Sequence, residues 1–141
     1  MVKLNKSTRL ALYAMVELSR DAERVLSAGE IAEKYNMSEH HVAKVLQQLA
    51  RVRLVRSTRG IKGGFQIAKD PKEITMHDIV EVFEPYSQPD NSGCLLLDFD
   101  ESCHLIGACR IGEVFNEIQE QAIYTLKSVT IATLISPKKI S

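Results

Sequence analysis

A chain of 141 residues, 45% hydrophobic and 26% charged, is long enough for one domain, or for a small domain with an appendage. No apolar run approaches the roughly 20 residues a membrane helix needs, and the charged opening residues do not resemble a secretory signal, so with three cysteines the expected setting is a reducing cytoplasm with no membrane partner. The net charge of zero conceals a split: residues 1–70 carry 13 Lys/Arg against 7 Asp/Glu, while residues 71–141 carry 5 against 11.

From residue 8 to about 21, Leu10, Ala11, Ala14, Met15 and Leu18 fall at helical spacing and predict a first helix. Ser27-Ala28-Gly29-Glu30 is a capping box, in which the serine caps the amide three residues on and the glutamate reaches back. It opens a short second helix to about Lys34, with Ile31, Ala32 and Tyr35 inward. Asn36-Met37 makes a brief turn, and Ser38 is a good N-cap for a third helix over about 39–52. Val42, Val45, Leu46 and Leu49 form its buried stripe. Two short helices joined so closely have helix-turn-helix spacing.

Leu54-Val55-Arg56-Ser57 and Gly64-Phe65-Gln66-Ile67 read as two short strands joined by Thr58-Arg59-Gly60-Ile61-Lys62-Gly63. Glycines there permit the positive φ of a tight hairpin. A basic hairpin directly after a recognition helix is a wing. Pro71 breaks the chain, and Thr75 caps a helix over about 76–84 with Ile79, Val82 and Phe83 inward. Residues 85–109, with Pro85, Pro89, Gly93 and Gly107, form a loop-rich segment that holds all three cysteines. From Arg110 to about Leu134 apolar residues step by three or four: Ile111, Val114, Phe115, Ile118, Ala122, Leu126 and Val129. Such a helix runs over roughly 35 Å, longer than one small domain covers, and a second copy of the chain is expected on it as a two-fold dimer.

The expected fold is therefore mainly α: a winged helix-turn-helix with a small β-hairpin wing and a long C-terminal dimerisation helix. Residues 1–70 form the DNA-binding domain, whose first helix also has room to pack on the partner. Residues 71–109 are the connecting helix and cysteine-bearing loop, and residues 110–141 are the dimerisation helix and tail.

Between His40 and Lys69 there is no acidic residue, but there are Lys44, Arg51, Arg53, Arg56, Arg59, Lys62 and Lys69. A local basic surface attracts a polyanion even when the whole chain is neutral. The third helix turns Ser38, His40, Ala43, Lys44 and Gln47 away from its apolar stripe. Gln47 can bond an adenine edge, Lys44 a guanine edge or a phosphate, and Ala43 can touch a thymine methyl. His40 and His41 read as groove or phosphate contacts. Arg59 on a narrow hairpin suits a minor groove, and Arg56 and Lys62 suit phosphates. A symmetric dimer implies double-stranded DNA with a palindromic operator. No phosphate loop and no nucleophile with a partnered base is evident, so an enzyme is not expected.

Cys94, Cys103 and Cys109 follow the spacing Cys-x8-Cys-x5-Cys. An odd, clustered set of thiols with polar residues between them is a poor disulfide framework and a plausible metal-cluster site. A zinc site, redox thiols without metal, and ordinary buried cysteines are the other readings of these residues. Zinc wants four firm ligands, and three are evident.

The order of parts resembles the Rrf-type (IscR/NsrR/RirA-like) winged-helix transcription regulators over nearly the whole chain. The resemblance is carried by the opening Lys3-Leu4-Asn5-Lys6-Ser7-Thr8-Arg9-Leu10-Ala11-Leu12, the wing Arg59-Gly60-Ile61-Lys62-Gly63-Gly64-Phe65, the three cysteines, and the closing Val129-Thr130-Ile131-Ala132-Thr133-Leu134. It implies a homodimeric regulator, usually a repressor, whose operator affinity depends on an iron–sulfur cluster sensing nitric oxide, redox state or iron–sulfur status. Members with a Cys-Cys-Cys-His site place histidine where this chain has Gly112, and others take a carboxylate from a first-helix position that is Arg9 here. Both departures favour a 4Fe-4S cluster over 2Fe-2S, as in the nitric-oxide-sensing branch. His104 is then a possible fourth ligand, with Asp98, Asp100 and Glu101 nearby. The alternative is a winged-helix regulator without a cluster, controlled by a partner protein, a small effector or thiol oxidation.

Overall fold

The computed structural model describes residues 4–84 and 109–136. Helix α1 (Lys6–Arg20) begins where Asn5 Oδ1 accepts the Thr8 amide at 2.9 Å, two residues earlier than the apolar pattern suggests. Its face of Leu10, Ala11, Ala14, Met15 and Leu18 is at most 1% exposed. Helix α2 (Ala28–Tyr35) opens with the expected reciprocal capping box between Ser27 and Glu30. Asn36 closes it in the left-handed region at φ 52°, and the Met37 amide reaches back to the Ala32 carbonyl at 2.8 Å. Asparagine tolerates that region better than most residues, so the turn is cheap. It delivers Ser38, whose Oγ accepts the His41 amide at 3.3 Å and starts α3 (Glu39–Arg51).

The end of α3 closes through two backbone bonds, Arg53 amide to Ala50 carbonyl and Leu54 amide to Leu49 carbonyl, both at 3.0 Å. Arg53 sits there at φ 64°, a position where glycine is the ordinary choice. The chain then enters the wing. Strand β1 (Val55–Thr58) pairs antiparallel with β2 (Gly64–Ile67) in the register Val55↔Ile67, Arg56↔Gln66, Ser57↔Phe65 and Thr58↔Gly64. Val55 and Ile67 face the core, and Arg56 and Gln66 face solvent or its edge. Leu26, between α1 and α2, bridges Phe65 with two backbone bonds of 2.9 and 2.7 Å, which adds a third edge to the hairpin.

After a single 3-10 turn at Pro71–Glu73, a Thr75–Asp78 capping box opens α4 (Met76–Phe83). Its buried residues are His77, Ile79 and Val80, whereas Val82 and Phe83, expected inward, are half-buried. Helix α5 (Arg110–Ser128) stops well short of Leu134. At Val129 and Thr130 the backbone is extended. The Val129 carbonyl accepts the Met76 amide at 2.9 Å, and the Ile131 amide donates to the Ile74 carbonyl at 2.8 Å. Val129-Thr130-Ile131 is a β-branched run, which lowers helix propensity where a backbone partner is at hand. A short α6 (Ile131–Ile135) then buries Ile131 completely.

One apolar core results, shared by α1, α2, α3, both strands, Ile74, Ile79 and Ile131. Helix α5 lies outside it. Its 19 residues span about 28 Å, and none of them is buried.

The seam between α1 and α2 is polar. Glu17 accepts from Tyr35 Oη at 2.6 Å, from Lys34 Nζ at 2.8 Å and from Arg20 Nε at 3.2 Å. Burial alone would raise the Glu17 pKa, but the hydrogen bonds from Lys34 and Tyr35 and the Lys34 charge outweigh it, so the pKa lies below the usual carboxylate value. Burial and the Glu17 carboxylate together push the Tyr35 phenol up to about 12. A lowered folded-state pKa means that the stability Glu17 contributes is full above the ordinary carboxylate range and is lost as pH falls through its folded value. Glu17→Gln is therefore expected to be about 1–2 kcal/mol less stable near neutral pH, with the deficit shrinking on acidification. Urea titrations across that range check this, and a deficit independent of pH contradicts it.

Candidate nucleic-acid interface

On α3 the side opposite the core carries His40, Lys44, Gln47 and Arg51, all exposed and spaced three or four residues apart, with Ala43 half-buried beside them. Arg51 extends the row by one turn. Its signal in the sequence is its position four residues after Gln47. Gln48 is also exposed alongside. Two of the expected contacts have partners within the fold. The Ser38 hydroxyl caps the helix, and His41 Nε2 lies 3.0 Å from Ser7 Oγ, which ties α3 to the start of α1.

The hairpin presents its own cations. Arg56 Nε donates to Gln66 Oε1 across the strands at 3.3 Å, and Gln66 Nε2 donates to the Ala22 carbonyl at 2.9 Å. Arg56 is thereby held flat along the ribbon. Arg59, Gly60, Ile61 and Lys62 are exposed at its tip. Gly60 takes φ 119°, a value side chains rarely adopt, and its carbonyl accepts the Gly63 amide at 3.0 Å. Gly64 is required for a different reason: a Cβ there would stand 2.5 Å from the Leu26 carbonyl oxygen.

Among the described residues, Lys44, Arg51, Arg59 and Lys62 take part in no ion pair. Two acids of this half are engaged elsewhere: Glu17 holds Arg20 and Lys34, and Glu30 lies 3.7 Å from Arg24. The helix face and the wing tip are left with unneutralised positive charge, which is what a phosphate backbone selects.

Of the sulfur site, Cys109 is described. Cys94, Cys103, His104, Asp98, Asp100 and Glu101 lie outside the described residues. Cys109 is the N-cap of α5, and its Sγ accepts the Gly112 amide at 3.3 Å. A metal-bound sulfur carries negative charge, and an amide donor at the positive end of a helix suits it. At Gly112 a Cβ would meet Cys109 at 3.6 Å, ordinary contact, so space does not forbid a side chain there. A second group of potential ligands is His77, Asp78 and Glu81, with ligand atoms within 4.8 Å of one another. It is accounted for by helix chemistry: Asp78 accepts the Thr75 amide at 2.9 Å, and His77 faces Glu81 at 3.7 Å.

Comparison with known proteins gives this surface a context. The Rrf2 family, described as "Iron-dependent Transcriptional regulator", matches residues 4–137. The chain belongs to the Rrf2 family. A Rhodopseudomonas palustris protein named as the HTH-type transcriptional regulator BadM is 41% identical to this Rrf2 chain over 134 residues, covering 95% of the chain and 81% of the relative. The solved structure of T. potens IscR is 26% identical, with a TM-score of 0.73, and the match covers 95% of this chain and 86% of that one. The structure titled "CymR (YrzC) the Global Cysteine Regulator of B. subtilis" is 28% identical, with a TM-score of 0.76, covering 99% and 100%. Rrf2 proteins are DNA-binding transcription regulators and not enzymes, and the winged helix-turn-helix seen here is the corresponding fold. No helix among the described residues is long and apolar enough to cross a membrane.

Because the Gly64 backbone lies against Leu26, Gly64→Ala is expected to destabilise this Rrf2 protein by about 1–3 kcal/mol. Urea denaturation reads the effect, and wild-type stability in the variant contradicts the close approach.

Proposed function

We propose that this Rrf2 protein is a cytoplasmic, homodimeric repressor that reads a palindromic duplex with α3 and the wing, and whose affinity is set by an iron–sulfur cluster on Cys94, Cys103 and Cys109. The observation that carries the DNA half is the unpaired positive charge on the exposed α3 face and the wing tip. His40, Lys44 and Gln47 address base edges in the major groove, with Ala43 against a thymine methyl. Arg59 enters the minor groove, and Arg56, Lys62 and Arg51 hold phosphates. Ser38 and His41 act mainly by fixing the start of α3, where their bonds already lie.

Pairing of two copies is supported by α5. Ile111 and Val114 are 64% and 57% exposed and stand in one stripe with Phe115, Ile118, Ala122 and Leu126. Burying that stripe against its two-fold mate sets two reading heads on successive major grooves. The division of labour is then residues 1–70 for DNA, 71–109 for the sulfur site and 110–141 for pairing.

The family's description names iron, and three thiols with an amide donor on the third suit a cluster. When bound, such a group supplies reactivity toward nitric oxide and oxidants. A 4Fe-4S cluster fits three cysteines with a replaceable fourth ligand, His104 or one of Asp98, Asp100 and Glu101. Cys109 stands at the first turn of the pairing helix, so the bonds of its sulfur act on the element that spaces the two heads. A second reading has support of its own: the likeness to a cysteine regulator favours a cluster-free member controlled by a small effector, a partner protein or thiol oxidation.

Anaerobic isolation separates the two. A brown protein whose visible absorption and DNA mobility shift both change on adding nitric oxide is the expected result. A colourless protein that binds DNA regardless supports the second reading. For the DNA half, Arg59→Ala is expected to cost roughly 1–3 kcal/mol of affinity and to relax preference for A·T flanks. Equal titration curves for wild type and variant at fixed salt contradict that role.

A further inference from the structure

The wing tip holds one residue that neither phosphate contacts nor packing accounts for. Ile61 has a relative exposure of 107%, so its side chain touches essentially nothing in the fold. It stands between Arg59 and Lys62, at the apex of a two-stranded ribbon. The tip is held in shape by the Gly60 backbone at φ 119° and the bond from the Gly63 amide to the Gly60 carbonyl at 3.0 Å. A single exposed isoleucine in a flat surface needs no explanation. One raised on the apex of the hairpin between two cations is placed where a polyanion would receive it.

We propose that Ile61 is an apolar wedge that enters the minor groove with the wing and opens a base-pair step, so that the protein selects operators by how easily that step deforms. This rests on the DNA reading above and adds a specificity element to it. A groove about 6 Å wide does not admit the whole two-stranded ribbon, but it admits the exposed tip, Arg59 to Lys62, which projects beyond the paired residues. Arg59 is drawn into the negative potential of the minor groove while Lys62 and Arg56 engage phosphates at its edge, which carries the tip inward. Isoleucine is branched at Cβ and stiff at χ1, so it loses little side-chain freedom on insertion. Apolar side chains so placed unstack bases and kink the duplex toward the major groove. Pyrimidine–purine steps unstack most readily, so TA or CA/TG is expected beneath the wing even though no hydrogen bond reads it.

The test uses the full chain and duplexes that the wild-type protein selects from a randomised pool, with 2-aminopurine placed at each flanking step in turn. Wild type is expected to raise 2-aminopurine fluorescence at one flanking step per half-site. Ile61→Ser is expected to bind roughly tenfold more weakly, to lose the fluorescence rise and to lose the preference for a pyrimidine–purine step. Its salt dependence and thermal stability stay as in wild type, because Arg59 and Lys62 remain and the side chain packs on nothing. Ile61→Leu keeps most of the signal. An Ile61→Ser protein that still raises the fluorescence and keeps the step preference overturns the wedge, whatever its affinity. So does a wild type that selects duplexes without unstacking any flanking step. A wild type that selects no duplex at all removes the DNA reading and the wedge together.

Discussion

Burial of one face of α1 is the constraint on which the rest of the fold depends. Ala11 and Ala14 are fully buried between Leu10, Met15 and Leu18, and their small side chains let α3, α4, α6 and the second wing strand close around one helix. Close packing of this kind tolerates little change in volume. The polar ends of α1 then decide orientation. At its start, Asn5 donates from Nδ2 to the Phe83 carbonyl at 2.6 Å, while the Asn5 amide and Thr8 Oγ1 both donate to Glu84 Oε1 at 2.7 Å. One residue from Thr8, Ser7 meets His41 of the recognition helix. Further along, Glu17 gathers Lys34 and Tyr35 of α2. A single helix thus joins the end of α4, from which the cysteine-bearing segment departs, to the helix proposed to read DNA.

The same economy explains the electrostatics. Several acidic side chains of the first half are used within the fold: Glu17 and Glu30 take neighbouring cations, and Asp70 caps the 3-10 turn. From His40 to Lys69 no acid intervenes, so the charges on α3 and the wing are left for an external anion. Net charge says nothing of this; its distribution over elements does. Arg53 fits the pattern, since a cation occupies a left-handed position where glycine would be less strained.

Much of this was legible from local signals. The capping box at Ser27, the caps at Ser38 and Thr75, the stripe of α3 and the glycine-bearing hairpin all rest on residues close in sequence, and each formed where expected. What escaped depends on partners far away in sequence. The 3.6-residue period runs on through Val129, and the helix breaks there because the backbone of residues 74–76 offers a partner to a β-branched run. Leu26 joins the wing because Gly64 lets it approach. His41 and Arg56 look like free surface residues in one dimension, and only the positions of Ser7 and Gln66 show how they are held. Cys94, Cys103 and His104 are legible as a spacing alone.

Two copies joined along α5 are proposed to place paired α3 helices and paired wings on one duplex. Hydroxyl-radical footprinting of the complex, which reads the sugars, combined with dimethyl sulfate protection of guanine N7, which reads the major groove, tests this. Protection is expected to be symmetric about a centre, with minor-groove patches from the two wings flanking two major-groove contacts roughly 34–36 Å apart. A single asymmetric patch, or protection confined to one groove on one side, would contradict it.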